Sequence, residues 1–267
     1  MSAPAPGTAA VAVRAFGTGF RFQLTAMRGQ ADTYFSLIAS PFFALVFLSA
    51  MEYSGRTELY AHAVLAPMLM TAWTAALMFS GEMISDDRQN GRLEPLVATP
   101  APFPLVLLGR LCACMLLSVP SFVMSVLIAG ALFGYWLPVH HPLVFGAALL
   151  LVVGTTAAMA TALSALFVVA PGARIVQNTL SFPVFLLGGV LVPVSELPGA
   201  LAYLGRLLPL SWGADLLRAA TRPEPVQDLW LSLGMMLLLG LTALLFGMRY
   251  IARFLAGARA TGTLSRE

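Results

Sequence analysis

The stretch LWLSLGMMLLLGLTALLFGM, Leu229–Met248, runs for 20 residues without a charge. A helix rises about 1.5 Å per residue, so such a run matches the roughly 30 Å hydrocarbon core of a bilayer. The run is continuously apolar instead of alternating, which selects a helix over a barrel strand. Five more stretches read the same way: Thr33–Met51, Ala61–Ser80, Leu111–Leu137, Leu143–Ala170 and Ile175–Val194. The expected fold is therefore an all-α polytopic membrane protein with six transmembrane helices in one domain over residues 1–267. Composition agrees, with 59% hydrophobic and 10% charged residues, where soluble chains carry about 25% charged.

All 15 basic residues are arginine. A phosphate-binding P-loop needs a lysine after its glycines, so this chain has no such loop. No basic cluster is interleaved with aromatics, and nucleic acid is not expected as a partner. Six spans put both termini on one side of the membrane. Eleven arginines fall on that side, and Arg56, Arg206, Arg218 and Arg222 fall on the other. By the positive-inside rule the termini are cytoplasmic, in the cytoplasmic (inner) membrane of a cell. The first residues lack a basic n-region, so the first span is expected to be kept as an anchor.

Residues 1–32 form a cytoplasmic tail in which Arg14, Arg21 and Arg28 recur every seven residues. Val13, Phe16, Phe20, Leu24 and Met27 occupy a separate arc of the same wheel. That pattern predicts an interfacial helix lying flat, its arginines at the headgroups, although Gly17 and Gly19 weaken it. In the fourth span, Gly154, Ala158 and Ala162 predict a ridge for close helix packing.

Residues 195–228 read as an extracytoplasmic segment. Pro193, Pro198 and Pro209 divide it into two short amphipathic helices. Leu201, Leu204, Leu207 and Leu208 are helix-spaced in the first; Leu210, Ala214 and Leu217 share a face in the second, with Arg218 at its edge. These pieces are too short to span, so they lie on the outer surface or dip in as re-entrant helices.

Enzymatic chemistry is not visible. No HExxH or GxSxG occurs, and the centres of the spans hold no Asp, Glu, Lys or Arg, which argues against a proton-driven carrier. His140 and His141 read as a solvated turn, and His62 as unremarkable. Cys112 and Cys114 point about 200° apart on a helix and can share neither a metal nor a disulfide. No catalytic residue, metal site or cofactor is expected in this chain.

The charges gather instead in GEMISDDRQNGRLEPLVATPAP, Gly81–Pro102, which holds two arginines and four carboxylates. Ser85 is suited to cap a helix there, with Asp86 and Asp87 in its first turn and Asn90–Gly91 as a break. Read from residues alone, a solvated loop is the alternative. Together with the six spans, however, Glu82, Arg88, Gly91, Leu93, Glu94, Leu96, Thr99 and Pro100 resemble the first cytoplasmic loop of the type-2 ABC export permeases, nearest the daunorubicin-resistance and nodulation-exporter branches. A second match is FLLGGVLVPVSELPGALAYLGRLLPLSWGADLLR, which is similar to that family's stretch after span five. The resemblance covers nearly the whole chain. One departure is Gly91–Arg92, where the family usually has Gly-Thr.

The resemblance implies a permease subunit of an ATP-binding-cassette exporter, paired with a second permease, identical or homologous. Two copies of a separate ATPase subunit would carry the ATP and magnesium. It implies that residues 82–104 are a coupling loop, with Glu82, Asp86, Asp87, Arg88, Gly91, Arg92 and Glu94 facing the ATPase. It also implies that spans one, two and five line the path of a hydrophobic or amphiphilic cargo: a drug or antibiotic, a lipid or a glycolipid. Trp73 and Thr74 in span two are candidates for that lining. In span five, Asn178, Ser181, Phe182 and Phe185 share one face, beside Gln177. Helix–helix packing would place the same residue types there. A passive channel or secondary carrier is the rival function, though no ring of charges or carbonyls marks a pore.

Overall fold

The computed structural model describes residues 8–28, 31–56, 59–89, 91, 102–167 and 173–261. Among them the chain is helical throughout and contains no strand. The helices are α1 (Thr8–Ala26), α2 (Ala31–Tyr53), α3 (Tyr60–Gln89), α4 (Phe103–Leu116), α5 (Ser118–Phe133), α6 (Pro142–Phe167), α7 (Ala173–Leu187), α8 (Gly199–Arg206), α9 (Pro209–Ala220) and α10 (Leu229–Thr261).

Among the described residues four helical runs are long and apolar enough to cross a membrane: Tyr60–Gly81, Phe103–Phe133, Pro142–Phe167 and Leu229–Phe254. The other two expected spans are shorter: Leu37–Tyr53 as the apolar part of α2, and the 15 residues of α7. The run expected to end at Val194 stops at Leu187 because Gly188 and Gly189 follow, the latter at φ +67°. A left-handed glycine is the common way to close a helix. The span expected at Leu111–Leu137 begins eight residues earlier, at Phe103, with Pro102 before it. It breaks at Leu117. Pro120 explains the break, since it has no N–H for the carbonyl of Leu116. Gly134, at φ +63°, closes α5.

The core lies around α3 and α6. Helix α3 packs against α2, α4, α5, α6, α7 and α9, and 72% of its apolar window is buried. Leu48, Leu65, Leu69, Leu77, Phe122 and Met236 meet in one buried cluster; Leu107, Leu111, Met115, Ala157, Ala160 and Ile251 form another. Polar side chains join helices where lipid offers no partner. Ser40 of α2 lies 3.2 Å from Ser125 of α5.

Two packing expectations change. The buried face of α1 is Ala15, Gly19, Gln23 and Met27, set against α4, while Val13 and Leu24 are exposed. Arg14, Arg21 and Arg28 are exposed, as the seven-residue spacing predicts. Small residues let the α1 and α4 backbones touch: a Cβ on Gly19 would strike the carbonyl of Val106, and one on Gly109 that of Phe16. The expected apolar arc is packed only in part, with Met27 buried and Phe16 and Phe20 half-buried, because close backbone approach favours the smallest side chains over the greasiest. Of the expected ridge on α6, Gly154 has open space around it, whereas Ala158 is buried and the backbone of Thr161 and Ala162 meets Gly247 of α10, with Gly240 set against Thr155.

Candidate functional site

Helix α3 runs 30 residues, about 45 Å at 1.5 Å per residue, and so outlasts the hydrocarbon core by two to three turns. Its last turns carry the start of the charged stretch, so Glu82–Gln89 is helix rather than loop, and Ser85 lies inside it rather than at a cap. Gly91 is exposed at φ +65°, two residues past the helix end, where a left-handed residue terminates a helix. Arg92 and Glu94 lie outside the described residues, as do the side chains of Glu82, Asp86 and Arg88.

Asp87 is the charged side chain of this stretch that the structure describes. Its side chain is 3% exposed and forms an ion pair with Arg110 of α4, whose side chain is 8% exposed. Arg110 Nη1 donates to Asp87 Oδ2, and Nη2 to Oδ1 at 3.3 Å. Nε donates to Gln23 Oε1 of α1 at 3.1 Å, and the guanidinium lies 5.1 Å from the ring centre of Phe22. Two desolvated charges are tolerated only with such geometry and extra hydrogen bonds. Asp87, named among the residues expected to face the ATPase, is thus buried and paired with Arg110. The planar fork of arginine lets one side chain tie three helices: α1, the protruding end of α3 and α4. Arg110 had entered the sequence argument only as a topology mark. A lone arginine in FPLVLLGRLCACML was the available signal, because such a charge needs a partner.

The described candidate path residues differ in exposure. Trp73 and Phe185 are in the buried core, and Thr74 is exposed. Phe182 is 73% exposed and meets Phe185 edge-on at 6.2 Å. Ser181 Oγ donates to the Gln177 carbonyl within its own helix at 3.1 Å. The side chain of Asn178 lies outside the described set. Gln177 is a packing residue: its Nε2 donates to the Leu77 carbonyl of α3 at 2.9 Å, beside Gly81, where a Cβ would collide with it. Trp73 Nε1 and Gln177 Oε1 are buried without a hydrogen-bond partner among the described residues.

At the other end of the molecule, α8 and α9 form a corner held by charge. Arg206 pairs with Asp215 at 2.7 Å and stacks 4.6 Å above Trp212, whose Nε1 donates to the Arg206 carbonyl at 3.0 Å. Arg218 donates to Asp215 at 3.2 Å, and to the carbonyls of Gly189 and Val190. It thereby satisfies carbonyls freed where α7 ends. Burial pulls the Arg218 pKa below the usual arginine value, and the Asp215 carboxylate opposes that shift. Leu210, Ala214 and Leu217 are buried, as their spacing predicts, but Leu201, Leu204 and Leu207 are exposed.

The histidines are bonded, not merely solvated. The backbone N–H groups of His140 and His141 donate to the Ala220 carbonyl at 3.1 Å each, and their rings meet the carbonyls of Thr221 and Glu224 at 2.9 Å each. They hold the C-terminal end of α9, whose last carbonyls have no partner within the helix. His62 Nε2 lies 2.8 Å from the Leu191 carbonyl.

A family model described as ABC-2 family transporter protein matches residues 43–249. That range covers most of the chain and includes α3, the ion pair and the α8–α9 corner. The chain belongs to the ABC-2 transporter family. It is accordingly a membrane permease component of an ABC transporter, a family that works with an ABC ATPase partner. A comparison with curated proteins gave no match.

Proposed function

We propose that this chain is the transmembrane half of an ATP-driven exporter, pairing with an identical or homologous permease. Each permease docks one ATPase subunit, which holds ATP and magnesium, through the end of α3 and the residues that follow. Glu82, Asp86, Arg88, Gly91, Arg92 and Glu94 face that subunit, and both termini lie on its side of the membrane. The cargo is a hydrophobic or amphiphilic molecule, a drug, lipid or glycolipid, passing a two-state path by alternating access. Phe182, Thr74, Asn178 and Ser181 are the side chains offered to it.

The observation that carries this reading is the Asp87–Arg110–Gln23 joint. A push on the protruding end of α3 reaches α1 and α4 through a buried charged contact. The test is ATP hydrolysis by the purified complex, compared with the ATPase subunit alone. Replacing the pair by apolar residues of similar size, Asp87→Leu with Arg110→Met, keeps the helices packed and removes the charged link. The expected result is an assembled complex whose hydrolysis no longer responds to the permease. Wild-type hydrolysis and export from that double variant would sink the proposal.

A further inference from the structure

Helix α10 is the least covered of the long apolar helices, with 11% of its window buried. A shallow groove of about 310 Å³ runs along its open face, lined by Thr242, Leu245, Phe246, Arg249, Tyr250 and Arg253. These positions follow the spacing of three and four that puts residues on one stripe of a helix. The stripe changes character along its length. Leu245 and Phe246 are apolar, and Phe246 stacks on Tyr250 at 6.1 Å. Arg249 and Arg253 come next, one turn apart and both exposed. Among the described residues neither arginine has a carboxylate partner.

The depth of the stripe follows from the helix itself. Trp230, 84% exposed, stands at the start of α10, and Tyr250 is 20 residues further on. That separation is about 30 Å, the thickness of the hydrocarbon core, and exposed Trp and Tyr settle at its two boundaries. Arg249 is the first charge after the apolar run, so Arg249 and Arg253 lie at the level of lipid phosphates while Leu245 and Phe246 lie beside acyl chains.

We propose that this groove is a binding site for an anionic phospholipid, its phosphate held between Arg249 and Arg253 and one acyl chain laid over Leu245 and Phe246. The order of groups along the stripe is that of the lipid: chain, boundary, phosphate. Guanidinium forks fit phosphate oxygens in pairs, and a basic stripe at the headgroup level draws anionic lipids over neutral ones. A second copy of the chain fits the face poorly. A two-fold contact through this stripe would set arginines against arginines.

The test uses the full chain in nanodiscs of dioleoyl-phosphatidylcholine with dioleoyl-phosphatidylglycerol, followed by native mass spectrometry of the lipids retained. The wild type should retain phosphatidylglycerol in preference to phosphatidylcholine. With each arginine near the surface worth about fivefold, Arg249→Gln with Arg253→Gln should reduce that preference about twenty-five-fold. Arg249→Lys with Arg253→Lys should keep most of it, and this pair also controls for folding. Arg14→Gln with Arg21→Gln, two exposed arginines on α1 that are expected at the headgroups but stand two turns apart, should reduce it by less than the α10 pair does. The proposal is overturned if the wild type shows no preference, if the glutamine pair retains phosphatidylglycerol like the wild type, or if the α1 variant loses as much. Unchanged lipid retention with lost subunit association in the glutamine pair would assign the stripe to a protein partner instead.

Discussion

Among the described residues two arginine–aspartate joints stand at opposite ends of the molecule, and they are built differently. At the end of α3 the Asp87 and Arg110 side chains are 3% and 8% exposed, and a third helix supplies Gln23. In the α8–α9 corner the Arg206 and Asp215 side chains are 37% and 32% exposed. Water screens the second pair and supports either partner alone; it does neither for the first. The buried joint is therefore one in which neither partner can be removed singly, whereas the outer corner spreads its load over Asp215, Trp212 and two backbone carbonyls. A contact that must pass motion between helices gains from the first arrangement, and a corner that must hold its shape at a wet surface is served by the second.

The largest effect should come from breaking the buried pair. Asp87→Ala or Arg110→Met alone leaves one desolvated charge without its partner and should cost about 3–5 kcal/mol. Asp87→Leu with Arg110→Met should cost far less than the sum of the singles. Unfolding midpoints of the purified variants in detergent measure this, and equal, additive losses would show that the pair is no more coupled than a surface bridge.

A smaller effect should follow in the outer corner, and it should be unequal between its two arginines. Arg218→Met strands the Gly189 and Val190 carbonyls at the end of α7, at a cost of about 2–3 kcal/mol. Arg206→Ala loses a screened pair and its stacking on Trp212, about 0.5–1.5 kcal/mol. The same unfolding assay ranks them, and a larger loss at Arg206 would reverse the account of what holds the corner.

The smallest stability change is expected between the two joints, on α7. Phe182 is 73% exposed, so Phe182→Ala should change stability by about 0.5 kcal/mol or less. If it lines the path, the variant should still assemble yet shift which compounds are exported. Unaltered rates and apparent affinities for every cargo tested would leave Phe182 as a lipid-facing residue.

Much of the fold was legible because its causes are local. Apolar length decides whether a helix can cross a bilayer, and the long runs of α3, α6 and α10 appear near where composition puts them. The buried face of α9 was legible from spacing, since Leu210, Ala214 and Leu217 repeat at a helical interval. On α1 the same reasoning was right only in part: Met27 is buried and Phe16 and Phe20 are half-buried, but Val13 and Leu24 are exposed. Its closest contact is made at Gly19, and in lipid a helix is recruited by close approach as well as by grease. The charged stretch showed where polar chemistry concentrates but not which charge turns inward.

By itself, then, the sequence determined the all-helical membrane class, most of the long helices and the two polar ends of the molecule, because hydropathy and helical periodicity act over 20 residues or fewer. Only the tertiary structure decided that Asp87 is buried, that Arg110 is its partner and that His140 and His141 hold the end of α9. Those contacts join residues 23, 87 and 79 or more positions apart. No period in the chain encodes such a distance; it exists only once the helices have packed.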